Sequence, residues 1–340
     1  LAPWSSKPAG VLDEFYKKHG YFPCLAKDEK ETVPEVHSWE KRQPIAVTLG
    51  TVYDEWCLGN IAKQLGKEEE ATYFLNRSLN YRKGFNPKTK FFHPKDTFGV
   101  FMEDLDYRFP PSMGARDAYD ENNGYIYRWD VAHNIGDLVQ LMGGNEAFIN
   151  ELEHMYNEPL GRSKYDFYAS YPDHTGNVGQ FSMGNEPSMR IPYLYNYAGQ
   201  PWMTQNKVRQ MLDLWYDTTP FGLSGDEDGG SMSSWYVLNS IGIYPQCPGR
   251  PIYDIGSPIF EEVIINVGEG KEFIIEAENV SKQNKYIQSA ELNGQPHNKT
   301  WIEHSDIVKG GKLKFIMGPR PNKSWGSSID SRAPSMSNPL

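Results

Sequence analysis

Residues 44–66, PIAVTLGTVYDEWCLGNIAKQLG, govern how the rest of the chain is read. Val47, Val52, Trp56, Ile61 and Leu65 recur near helical spacing, with Pro44 where a first turn tolerates it and Gly66 where a helix stops. A second amphipathic stretch follows at once. Lys67-Glu68-Glu69-Glu70 opens a run bearing Phe74, Leu75, Leu79 and Arg82, its acids suited to the positive end of the helix dipole. The same helix, glycine, helix grammar returns over 131–142, Gly143-Gly144 and 145–156, and again over 187–198, Gly199-Gln200-Pro201 and 204–216. A further helix over 232–241 ends at Gly242. These are stacked αα-hairpins, the unit of helical solenoids and of (α/α) toroids. The loops over 86–123 and 157–184 are far longer than a scaffold needs, and long loops on a rigid scaffold carry function, so the pattern predicts a toroid with a loop-lined mouth.

After Cys247-Pro248-Gly249 the texture changes to short β-rich runs at 252–255, 263–267, 273–277, 286–292 and 313–317. Period-two alternation and the Asn293-Gly294 turn predict an antiparallel β-region. The expected fold is therefore mainly α: helical hairpins of a partial (α/α) toroid over 1–247, a smaller antiparallel β-region over 248–326, and an extended or disordered Ser/Pro-rich tail over 327–340.

With 340 residues the chain has room for a substantial core, and 34 basic against 44 acidic side chains leave a net charge of −10, which repels a phosphate backbone. Nucleic acid is therefore not an expected partner. No apolar run approaches the ~20 residues of a membrane-spanning helix. Cys24, Cys57 and Cys247, odd in number and far apart, form neither a disulfide framework nor a zinc site. The chain opens on Leu1 without a leader-like stretch, which predicts a start removed by processing or truncation.

Three loops concentrate chemistry. The segment from Asp117 through Asp120, Glu121, Asn122, Asn123, Tyr125, Tyr127, Trp129 and Asp130 to His133 packs carboxylates, amides and aromatics before a helix. It reads either as a catalytic and sugar-contacting loop, with Tyr125, Trp129 and His133 as candidate contacts, or as a polar loop whose rings pack on the scaffold. Tyr119, Tyr125 and Tyr127 around Glu121 are surroundings able to raise a carboxyl pKa by desolvation. Gly225-Asp226-Glu227-Asp228-Gly229-Gly230 runs into a helix; one acid suffices for a cap, and three between glycines point to a base or a metal. Gly184-Asn185-Glu186-Pro187-Ser188 offers amide and carboxylate oxygens on a turn, with capping as the alternative. Oxygen-only ligands suit Ca²⁺, though neither acidic loop has EF-hand spacing. No HExxH, GxSxG, Walker loop or GxGxxG is present. Paired carboxylates on separate loops of one scaffold, with abundant aromatics, are what glycoside hydrolysis asks for.

Longer strings carry more. Gly143-Gly-Asn-Glu-Ala-Phe148, Met183-Gly-Asn-Glu-Pro-Ser188 continuing over 191–202 to Trp202, and 225–237 through Gly242-Ile-Tyr-Pro245 closely resemble glycoside hydrolase family 92, the calcium-dependent, inverting, exo-acting α-mannosidases. The stretches 286–294 and Asn322-Lys-Ser-Trp-Gly326 are similar to that family's C-terminus. The resemblance implies an (α/α)₆ toroid with an N-terminal β-sandwich. That toroid takes twelve helices and this chain shows about seven, so the resemblance implies the C-terminal half of such an enzyme. It also implies Ca²⁺ as cofactor, mannose-containing glycans as partners, and a secreted, periplasmic or cell-surface location. Carried over residue by residue, Glu121 matches the general acid, Asp226 and Asp228 match the acidic pair supplying the general base, and Asn185-Glu186 lies close to the calcium site. Trp202 joins Tyr125, Trp129 and His133 as a candidate substrate contact. An inverting pair would place the two carboxyls ~6.5–9.5 Å apart. The chain departs from the family at Gln180–Met183, where relatives that prefer α-1,2 links often carry His. It departs again at 122–125, where a Trp-Gln pair is common, so linkage preference stays open. A catalytically silent carbohydrate-binding fragment and an (α/α)₆ glycosidase acting on α-glucosides are the competing readings.

Overall fold

A computed structural model describes residues 10–111, 113–225 and 227–337. Asp226 and the last three residues of the tail lie outside the described residues. The chain forms two compact units, one within residues 1–133 and 154–187 and the other within 134–153 and 188–340.

In the first unit the expected hairpin is present as helices Pro44–Gln64 and Glu68–Arg77. The turn between them closes through Lys67 N–H donating to the Ala62 carbonyl, with Gly66 at φ 69°. Gly59 is required where the helices meet, because a Cβ there would lie 2.7 Å from Leu75 Cγ. An earlier helix, Gly10–His19, joins them through Glu55, which accepts from Tyr16 Oη at 2.7 Å and from Arg77 Nε. The acid is 5% exposed and paired on both sides, the condition under which a charge is tolerated in a core. The long loops carry their own short elements: a hairpin of Phe85–Asn86 with Phe91–Phe92, a helical turn Gly124–Tyr127, helix Lys164–Ser170, and a hairpin of Asn177–Val178 with Phe181–Ser182.

In the second unit, helices Ile135–Leu141, Pro201–Trp215 and Ser231–Ile241 stand where the periodicity placed them. The helix expected over 187–198 is instead broken into the 3₁₀ turn Ile191–Tyr193 and the short helix Leu194–Tyr197. Pro192 supplies no N–H, and every residue from Ile191 to Tyr197 is buried, so packing on all sides sets the path here.

The strands Glu262–Gly268, Lys271–Glu278, Tyr286–Leu292 and Gly311–Gly318 fall where alternation placed them, with Gln295–Pro296 completing a five-stranded sheet. The sheet is not wholly antiparallel. Gly311–Gly318 enters between Tyr286–Leu292 and Lys271–Glu278, antiparallel to the former and parallel to the latter. Insertion there puts Phe273, Ile275, Ala277, Leu313, Phe315, Met317 and Ile287 into one core, which an edge position would have left half exposed. The Asn293-Gly294 turn has both residues at positive φ (52° and 77°), as a two-residue hairpin requires. A second sheet pairs Ile252–Ile255 with Ile243–Tyr244 and with Trp301–Glu303, a strand that periodicity missed. The Ser/Pro-rich tail lies against this unit through residue 337. Ser331 O accepts from Thr300 N, Arg332 O from Trp301 Nε1, and Asn134 Oδ1 from Ser335 Oγ.

Candidate active site

Glu121 stands at the end of the 86–123 loop with φ 45°, in the left-handed region, and Asn122 N–H folds back to donate to the Asp120 carbonyl. Asn123 then caps the turn Gly124–Tyr127, its Oδ1 accepting from Tyr125 N at 3.1 Å. Gly124 is held to hydrogen by Tyr119 Oη, which a Cβ there would approach to 2.8 Å.

The fold brings Asn185 to Glu121 across 64 positions of sequence: Asn185 Nδ2 donates to Glu121 Oε2 at 3.0 Å. Asn185 Oδ1 accepts from Asn122 Nδ2 at 3.0 Å. Asn185 is expected near a metal, and in this structure its amide is bonded at both ends, one to the acid and one to a neighbouring amide. Asn122 Oδ1 accepts in turn from Asn123 N at 2.9 Å. Asn123 Nδ2 donates to Gln180 Oε1 at 2.8 Å, and Gln180 Nε2 to the Pro159 carbonyl. Asn122, Asn123, Asn185 and Gln180 are all buried. In sequence Asn122 and Asn123 belong to the amide-rich loop and, with Gln180, to the departures from a familial pattern, and nothing in their spacing marks the three as a connected set.

Burial pushes the Asp120 carboxyl up to about 6, with the neighbouring Glu121 charge adding to the effect and Arg116 opposing it. Arg116 Nε lies 3.5 Å from Asp120 Oδ1 and 2.9 Å from Glu40 Oε2, with its guanidinium over the Trp39 ring. Tyr119 and Tyr127 stack on each other in the core, ring centroids 5.7 Å apart. Tyr125 is buried and its hydroxyl is pushed up to about 12, chiefly by desolvation.

Trp129 and His133, the other candidate contacts on this loop, are buried. Trp129 is 4% exposed and donates Nε1 to Met155 Sδ at 3.2 Å. His133 is fully buried, its Nε2 3.0 Å from the Ser78 carbonyl and its ring among Tyr53, Trp56 and Tyr81. Neither presents a ring face to solvent on which a sugar could stack. A cavity of about 850 Å³ in the same unit is lined by Cys24, Arg42, Asp96, Phe101, Met102 and Asp117, and Glu121 is not among its lining residues.

In the second unit, the acidic loop divides its labour. Glu227 is the cap: its carboxylate accepts from Ser233 N at 3.1 Å and its carbonyl from Ser231 Oγ at 2.9 Å, at the start of helix Ser231–Ile241. Asp228 is exposed and stands at φ 37°. Trp202, half-buried at the start of Pro201–Trp215, lines a shallow cavity of about 360 Å³ with Asn145, Glu146, Gln200 and Arg332. Glu186 lies on the turn beside Asn185 in the first unit, partly exposed.

Comparison with known proteins bears on what these loops do. The glycosyl hydrolase family 92 catalytic domain matches residues 3–319. A family GH92 α-mannosidase of Bacteroides thetaiotaomicron, solved in complex with mannoimidazole, superposes with a TM-score of 0.82 at 32% identity, over 94% of this chain and 40% of that one. A family GH92 inverting mannosidase of Bacteroides thetaiotaomicron VPI-5482 gives a TM-score of 0.80 at 33% identity, over 95% and 42%. An uncharacterized secreted glycosidase of Arthroderma benhamiae is 29% identical over 98% of this chain and 42% of its own length. The chain thus spans about two fifths of the length of each of these relatives.

Proposed function

Because the chain belongs to glycosyl hydrolase family 92, we propose that it carries catalytic loops of an exo-acting α-mannosidase, which removes terminal α-linked mannose from glycans by a single inverting displacement. The helical hairpins form part of the (α/α)₆ toroid in this reading. Glu121 gives its proton to the glycosidic oxygen as the bond from C1 to that oxygen breaks. A water adds to C1 from the opposite face, and Asp228 or Asp226 takes the proton it loses. One observation supports the reading above the others: Glu121 is held on left-handed backbone with one carboxylate oxygen anchored by a buried amide, a costly arrangement that persists where the surroundings over-determine it. The division of the second loop adds to it, since Glu227 takes the capping role and leaves Asp228 for chemistry.

The donor chemistry of the turn at Glu186 is oxygen-only and fits a hard cation. Among the described residues no three His, Cys, Asp or Glu side chains gather as a ready metal cluster. Calcium would therefore draw on Glu186, main-chain oxygens and donors beyond the described residues. When bound, such an ion would hold vicinal sugar hydroxyls and offset developing charge. Among the described residues no helix is long and apolar enough to cross a membrane. The secreted glycosidase among the relatives supports action on glycans outside the cytoplasm.

The test is hydrolysis of α-mannosides followed by proton NMR. Release of β-mannose as the first-formed anomer, abolished by chelation and restored by Ca²⁺ but not Zn²⁺, is the expected result. α-Mannose as the first product, cleavage of α-glucosides alone, or glycan binding without turnover would each overturn the reading, and full activity in excess chelator would remove the metal from it.

A further inference from the structure

We propose that a one-way amide relay, running from the Asn123 backbone N–H through Asn122 and Asn185 to Glu121, determines which carboxyl oxygen of Glu121 carries the proton it donates. The proposal rests on the reading of Glu121 as the general acid. The relay has a fixed end. A backbone N–H is only a donor, so the Asn122 atom 2.9 Å from Asn123 N is its oxygen. Asn122 must then turn its NH₂ toward Asn185, which accepts through Oδ1 at 3.0 Å. Asn185 in turn has only its NH₂ left for Glu121 Oε2, also at 3.0 Å. Each link decides the next, and no member can flip without leaving a buried donor facing a donor.

The anchor is itself held. Asn123 is pinned by its cap to Tyr125 N, by Gln180 at 2.8 Å and by the Arg108 carbonyl at 3.3 Å. Asn122 and Asn123 have no solvent exposure and Asn185 has 2%, so water cannot substitute for a lost partner. The positive φ at Glu121 brings this about, since it turns the chain so that the side chains of Glu121 and Asn122 converge on Asn185 while Asn123 N–H holds Asn122 from behind.

The consequence is chemical. A proton on Oε2 would face the Asn185 N–H head-on, so the proton resides on Oε1, and among the described residues Oε1 takes no hydrogen bond. Oε1 is the oxygen that delivers the proton to the leaving group. The Asn185 N–H remains bonded to Oε2 before and after transfer, so the site needs no rearrangement as the carboxylate forms. Asn122 and Asn185 are thus positioning residues, acting through Glu121.

Reversing the polarity of the relay tests it. Asn122→Asp keeps the shape but offers no donor to Asn185, which then turns its carbonyl toward Glu121 Oε2 and draws the proton to the wrong oxygen. In the active protein this variant should lose on the order of 10²-fold in kcat on an α-mannoside with a poor leaving group. An activated aryl α-mannoside, which needs little acid help, should fall far less. If Glu121→Gln discriminates between the substrates and Asn122→Asp does not, the relay fails while the acid stands. If Glu121→Gln fails to discriminate, the acid assignment fails first. Neutron diffraction gives a readout independent of turnover. Deuterium on Asn185 Nδ2 toward Glu121 is expected, and deuterium on Glu121 Oε2 would overturn the proposal.

Discussion

Glu121 and Asp228, the two acids on which the proposed chemistry rests, stand at φ 45° and φ 37°, where a side chain other than glycine's costs about 1–3 kcal/mol. They differ in support. Glu121 is tied to a buried network, while Asp228 is exposed on a loop whose cap is supplied by its neighbour. Replacing Asp228 by glycine should therefore remove strain without removing packing. We expect Asp228→Gly to unfold in denaturant within about 0.5 kcal/mol of the parent or later, against the ~0.5–1 kcal/mol loss usual for a glycine placed in regular structure, while turnover of α-mannosides collapses. A matching loss of stability would show that the loop holds Asp228 for structural reasons. For Glu121→Gln, cleavage of poor leaving groups should be abolished while an activated aryl mannoside is largely spared, and equal loss on both would count against an acid role.

Helix boundaries followed local rules wherever the chain was punctuated. Pro44 and Gly66 bracket the first hairpin, and Gly242 at φ 94° ends Ser231–Ile241. Over 187–198 the periodic pattern predicted a helix and the chain made short turns, because a segment buried on every side has no solvent face for periodicity to report. Glu227 gives an element-scale prediction. Losing its carboxylate leaves the Ser233 N–H without its partner in the first turn, so Glu227→Ala should destabilise by about 1 kcal/mol, read as a lower denaturation midpoint. In the sheet, Phe315 is fully buried on the central strand, and Phe315→Ala should cost about 3–5 kcal/mol. A loss under about 1 kcal/mol would mean that this strand is not the core of the sheet.

At the scale of the whole molecule, burial raises the carboxyls of Asp54, Glu55, Asp120 and Asp254, so each binds its proton more tightly folded than unfolded, Asp120 and Asp254 most of all. Asp254 has no solvent exposure and accepts from Tyr197 Oη at 3.2 Å and from Asn196 Nδ2 at 3.4 Å, yet desolvation dominates and pushes it up to about 7. Asp120 is pushed up to about 6 for the same leading reason. A raised carboxyl stabilises the fold below its unfolded value near 4 and loses that contribution as pH climbs through its folded value. Buried His174, pushed down to about 3 by desolvation, acts oppositely: its contribution is present above about 6.5 and fades as pH falls. Comparing Asp254→Asn with the parent isolates the first effect. The Tm difference should shift in favour of the variant between pH 5 and pH 8, as it no longer holds a buried anion. A difference equal at both pH values would show that Asp254 titrates as an exposed acid does.

The sequence by itself determined the first hairpin, five of the strands, the Asn293-Gly294 turn and the family to which the chain belongs, because each is written in neighbouring residues: periodicity, punctuation and contiguous motif strings. It also marked Glu121, Asn185 and the 225–230 loop as places where chemistry concentrates. Only the tertiary structure decided what those residues touch. Trp129 and His133 are candidate sugar contacts in the sequence and are buried in this structure, because the short 3₁₀ turn Ala132–Asn134 and the residues before it carry no periodic signal for which face turns inward. The parallel pairing of Lys271–Glu278 with Gly311–Gly318 follows from which strand order buries Phe273 and Phe315 together, a contest among distant segments that alternation within each cannot settle. The bond from Asn185 to Glu121 belongs to the same class. Sequence distance fixes no angle, and a hydrogen bond across 64 positions exists only once the scaffold has brought two loops within 3.0 Å.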